Sequence, residues 1–148
     1  ELNDSEREVF KLITIDNPKI IQGLISLSDR GDHIFMNLIE NAEFNIGKNK
    51  LYGGVAPNLI AFGCKMSFER NYKVYLAFFP KTNLRNHYKI TLGAKIYRKN
   101  IMYIETFEAQ LLVRNYFKEF NYDKYRWAKQ NGFLCREQKT IPWRWKSF

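Results

Sequence analysis

A mixed α/β (α+β) fold is what this sequence predicts, with one mostly antiparallel central sheet and helices on both faces. Three β-rich runs at the front, residues 9–15, 20–27 and 34–39, are separated by turn-forming residues. An amphipathic helical pattern follows at residues 58–70, opened by Gly53-Gly54. Directly after it, residues 72–79 are nearly all apolar or aromatic, as in a strand covered on both sides. Helix then buried strand is half of a βαβ unit, so a parallel pair is expected inside an otherwise antiparallel sheet.

Each element has its local reason. Residues 9–15 are short, β-branched and bounded by Asp16-Asn17-Pro18, which stops a strand. The next two runs flank a polar, Gly-containing segment, residues 28–33, and read as a hairpin. Leu59, Phe62, Gly63 and Met66 recur at helical spacing, with Lys65, Glu69 and Arg70 opposite. Pro57 fits the first helical position, where no N–H is needed. Residues 83–92 read as a second helix that Gly93 ends as a left-handed cap. Residues 94–99 and 101–105 form a hairpin around Lys99-Asn100, and Thr106 caps a helix to about residue 118, with Glu108 in its first turn.

At 148 residues the chain is one domain with a single core, residues 1–148, of which 119–148 are a basic, aromatic extension packed on the rest. From Arg114 to Phe148 there are nine Lys/Arg against three Asp/Glu, and all three tryptophans (Trp127, Trp143, Trp145) lie there. Such a tail either docks its rings on a core while its cations reach water, or stacks them on bases beside phosphates; docking is the reading adopted. Cys64 and Cys135, the two cysteines, have no metal-ligand spacing, so reduced thiols, a cytoplasmic setting and no structural metal are expected. The acidic start lacks a signal-peptide pattern, and no run approaches the roughly 20 apolar residues of a membrane span.

The chemistry concentrates at residues 51–58, Leu-Tyr-Gly-Gly-Val-Ala-Pro-Asn. Two glycines let successive N–H groups converge, and the helix behind them aims its unpaired first-turn amides at the same point, which makes an anion site. Gly-Gly also reads as a plain tight turn. His33 and His87 fit no triad and read as ordinary polar residues, while Cys64 reads as a small core residue.

A hairpin, a Gly-rich loop opening a helix, a buried strand, a short helix ending in Leu-Gly and a final hairpin: over residues 11–105 this order resembles the acetyl-CoA-binding half of the GNAT N-acetyltransferases. The family's Q/R-x-x-G-x-G/A loop is matched by Gly54 and Ala56; Leu51 stands at the Gln/Arg position, with Lys50 beside it to supply charge. Tyr88, followed by Leu92-Gly93-Ala94, resembles the family's tyrosine before Gly-Phe, one residue longer in spacing and without the Phe. The usual front strand and two helices are missing or reduced, and the aromatic tail is a candidate to cover the edge or face they would occupy.

The resemblance implies acetyl-CoA as cofactor and direct transfer of an acetyl group to a primary amine on a small molecule or protein. Backbone groups from Leu38 through Ile39 to Ala42 would pair with the pantetheine amides. The amides of Gly53, Gly54, Val55, Ala56 and Asn58 would hold the pyrophosphate. Glu40, ending an apolar strand, would be a base raised by partial burial, and Tyr88 the acid for the departing thiolate. Their alternatives are a strand-end carboxylate in water and a core anchor beside Leu84 and Leu92. Two other readings stay open: a reduced binding protein that holds nucleic acid through its C-terminal region, and a subunit whose acceptor groove a second chain, identical or not, completes. No membrane contact is expected.

Overall fold

Period-two burial sets the sheet. In strand β2 (Ile21–Asp29), Gly23, Ile25 and Leu27 turn to one face, where Leu12 of β1 (Arg7–Thr14) and Met36 of β3 (Ile34–Asn41) join them. The computed structural model describes residues 7–72 and 76–119, and the backbone of 143–147. Helix α1 (Val55–Glu69), strand β4 (Leu76–Phe78), helix α2 (Arg85–Leu92), strands β5 (Lys95–Tyr97) and β6 (Ile101–Ile104), helix α3 (Thr106–Tyr116) and strand β7 (Trp143–Ser147) complete the chain order. The seven strands lie in the order β5-β6-β4-β3-β2-β1-β7, and β3 with β4 is the one parallel pair among them. The mixed, mostly antiparallel sheet is as expected.

Helix α1 crosses from β3 to β4, buries Leu59, Ile60 and Cys64 against the face of Leu27 and Leu76, and packs on α3 through Ala109, Leu112 and Val113. Tyr88 of α2 meets Phe78 edge to face at 5.2 Å, on that same face. A helix on the opposite face, which the sequence predicts, is not found among the described residues. Close approach of α1 depends on Gly23, where a Cβ would stand 2.9 Å from both Leu59 and Val55 side chains. At the far end, Asp29 accepts from Arg70 at 2.5 Å, from Tyr72 at 2.7 Å and from the Gly31 amide at 2.8 Å, tying the end of α1 to the β2–β3 turn. Among the described residues no helix is long and apolar enough to cross a membrane.

Several boundaries move. Helix α1 starts at Val55, not residue 58, so Pro57 is its third residue; the first turn still asks no N–H of it. Strand β4 is described only from Leu76, since 73–75 lie outside the described residues. Thr106 is the first residue of α3 and Glu105 the cap, without a side-chain bond. Gly93 does end α2 in the left-handed region, φ 63°. The expected docking of the tail's tryptophan rings lies outside the described residues; its strand β7 pairs antiparallel along β1 from Phe10↔Ser147 to Thr14↔Trp143.

Candidate functional site

An opening in the sheet leads to the glycine loop. Strand β3 pairs with β4 only from Ile34↔Leu76 to Met36↔Phe78, then runs on from Asn37 to Asn41 beside β2 alone. The register shift between Ser26 and Leu27 leaves Asn37 as an extra residue in β3, and its side-chain Nδ2 donates to Ser28 Oγ at 2.8 Å. A bulge bends and twists its strand. Where β4 ends, β3 runs on without a strand on that side among the described residues, and the alternation of the ladder turns the backbone groups of Ile39 and Asn41 to the opening while those of Leu38 and Glu40 face β2. Ala42 belongs to the same phase as Leu38 and Glu40: its amide donates to the Gln22 carbonyl at 3.0 Å and is not available to a ligand.

The chain from Ala42 to Gly54 is pinned from beneath. Asn45 is buried; its Nδ2 donates to the Gln22 carbonyl (3.1 Å) and to Gln22 Oε1 (2.9 Å), and its Oδ1 accepts from the Tyr52 amide at 3.1 Å. The Leu51 amide donates to Phe44 O at 2.9 Å. These bonds fix the approach to Gly53 and Gly54, and Gly54 caps α1 in the left-handed conformation, φ 77° and ψ 12°. The first helical bond runs from the Asn58 amide to Gly54 O at 3.0 Å. Asn58 is thus spent inside the helix and drops out of the expected anion donors, because the free amides of a helix belong to the residues before its first bond. Those are Gly54, Val55 and Ala56, with Gly53 just outside.

Two side chains flank this cradle. The Lys50 Cε lies 3.9 Å from where a Cβ on Gly53 would be, which brings the expected cation to the loop. Tyr116, from the end of α3, sets its hydroxyl 3.1 Å from the corresponding point on Gly54. Burial holds the Tyr116 phenol above its ordinary pKa, so it is a hydrogen-bond donor at neutral pH. Nothing local in the sequence marks Tyr116, since α3 meets the loop only through tertiary packing. Nor does it mark Asn41, at the end of β3, whose Oδ1 is buried without a hydrogen-bond partner.

At the opposite end of the opening stands Tyr88, half-buried against Phe78, the last residue of β4. Burial raises its pKa, so the ring keeps its proton. Glu40 does not join it. The register sets Glu40 opposite Leu24, on the face away from Phe78, and the side chain is exposed, not partly buried as expected. Cys64 is fully buried and burial pushes its thiol up, which makes it a core residue and not a nucleophile.

No protein-family profile and no curated protein matches the chain. Among solved structures, the crystal structure of Tetrahymena GCN5 superposes with a TM-score of 0.45 and 11% identity, over 65% of this chain and 68% of that one. At that score neither its chemistry nor its ligands transfer to this chain.

Proposed function

We propose that the protein binds an acyl-CoA, most simply acetyl-CoA, along the opening beside β3 and transfers the acyl group to an amine, as its resemblance to the GNAT N-acetyltransferases implies. One observation carries the reading: a strand edge that no strand among the described residues covers leads, through the segment pinned by Asn45, to a cradle of amides outside the helical bonds. From Asn37 to Asn41 the edge spans about 13 Å at about 3.3 Å per residue. A long, thin ligand with a phosphate at one end and amides along its length fits that plan, whereas a lone phosphate uses only the cradle.

The residues present suit such a group. Gly54, Val55 and Ala56 offer unpaired amides at the positive end of α1, with Gly53 before them, and Lys50 adds a full charge. A side chain at Gly54 would fill the space in front of Tyr116. Ile39 and Asn41 offer main-chain groups to an amide arm, whereas Leu38 is turned to β2, and the buried, partnerless Asn41 Oδ1 is an acceptor in want of a donor. When bound, an acyl thioester supplies an electrophilic carbonyl and a thiol leaving group. Tyr88 Oη holds its proton through neutral pH and, in this reading, gives it to the departing thiolate. With Glu40 exposed on the other face, the acceptor amine loses its proton to solvent.

Thermal melting tests the binding step. Acetyl-CoA at 100 times its dissociation constant should stabilise the fold by about 2.7 kcal/mol. A melting curve that saturating acetyl-CoA leaves unmoved would remove the reading.

A further inference from the structure

Between Glu69 and Glu105 the chain carries eight Lys or Arg residues and no Asp or Glu. Three of them, Arg85, Arg98 and Lys99, meet where the start of α2 touches the tip of the β5–β6 hairpin. Lys89 lies one turn beyond Arg85 on the same side of α2, whereas Lys81 stands before the helical stretch in extended backbone. Arg85 joins that side to the hairpin tip, its Nη2 donating to the Lys99 carbonyl at 3.5 Å and to Asn100 Oδ1. Both acceptors are neutral, so the guanidinium charge is not cancelled. Among the described residues none of Lys81, Arg85, Lys89, Arg98 and Lys99 forms an ion pair, whereas neighbouring Lys95 is paired with Glu105.

An aromatic ring sits beside Arg98 at this tip, on the sheet face of Tyr103. Tyr97 is 52% exposed, and the Arg98 guanidinium lies 5.5 Å from its centroid. Edge contact with Tyr103, centroids 6.2 Å apart, holds the ring in place. Arg98 and Lys99 also adopt positive φ, 27° and 23°, a region that favours Gly and Asn. The hairpin therefore presents two cations at positions where uncharged residues would sit with less strain.

We propose that the hairpin tip binds single-stranded nucleic acid, with backbone phosphates on Arg98, Lys99 and the neighbouring Arg85 and a base stacked on Tyr97. Cations supply affinity for any strand, and an exposed ring held beside an arginine supplies a stacking plane that an acidic protein would not use. The surface is separate from the loop at Gly54 and does not depend on acyl transfer.

The test is anisotropy of a labelled oligonucleotide of about 12 residues, as RNA and as DNA, titrated with the full chain between about 50 and 200 mM salt. The double variant Arg98→Asn, Lys99→Gly removes two charges and relieves the turn, so its melting temperature should hold or rise. Its affinity should fall about tenfold, and the slope of log K against log salt should shrink by about 1.4, two contacts at about 0.7 each. Tyr97→Leu should weaken binding about fivefold or more while keeping the slope. An unchanged slope in the double variant, or no binding by the wild type, would overturn the proposal. So would displacement by polyglutamate as effective as by unlabelled oligonucleotide and indifferent to Tyr97→Leu, which would assign the surface to an acidic protein.

Discussion

Tyr88 and Gly54 stand at the two ends of the opening, and each makes its own prediction. Tyr88→Phe keeps the ring against Phe78 and removes only the proton, so acetyl-CoA should bind as before while transfer slows by about 10²–10⁴-fold. Equal turnover in wild type and variant would reduce Tyr88 to a packing residue. Gly54→Asp places a carboxylate in the cradle, in a left-handed conformation that Asp tolerates better than most residues. The fold should survive and the thermal shift with acetyl-CoA should vanish. Glu40→Gln, by contrast, should leave the rate at the wild-type level, since the side chain is exposed on the face away from Tyr88. A rate loss greatest near neutral pH would restore it as a base.

Elements explain how much of this was legible. Alternating and helical patterns located the hairpin of β2 and β3, α1, α2 and its Gly93 cap, because each depends on residues near one another in the chain. The Gly53-Gly54 loop was legible for the same reason. What escaped was cross-chain geometry: the Asn37 bulge bonded to Ser28, the Asn45–Gln22 anchor and the approach of Tyr116. No residue announces a partner 23 positions away in sequence. Glu40 was misjudged because a strand's end tells nothing of which side chain the bulge behind it leaves in water. The seating of α1 gives the test at this scale. Gly23→Ala should force the start of α1 off the sheet and destabilise the protein by about 1–3 kcal/mol in denaturant melts, since a Cβ there also approaches the Glu40 carbonyl at 3.0 Å.

Across the whole molecule, the sheet is held at its far end by Asp29 and along one edge by β7. Burial alone would raise Asp29, but the Tyr72 hydroxyl, the Gly31 amide and Arg70 outweigh it and keep its pKa below the ordinary value. A depressed folded pKa gives stability that is present above the unfolded value and lost as pH falls through the folded one. Asp29→Asn should therefore flatten the acid side of the stability profile and leave the alkaline side alone. Strand β7 makes the last prediction. It pairs with β1 across five positions, Phe10↔Ser147 to Thr14↔Trp143, and so covers backbone groups that would otherwise line an open edge. Truncation after Glu119 should expose that edge, lower the melting temperature and drive concentration-dependent association, read by calorimetry and size-exclusion chromatography. If the tail instead served only to hold nucleic acid, the truncated chain would melt as the full chain does, stay monomeric and lose oligonucleotide binding. Such a result would also move nucleic-acid recognition away from the Arg98 hairpin, because the truncation leaves that hairpin whole.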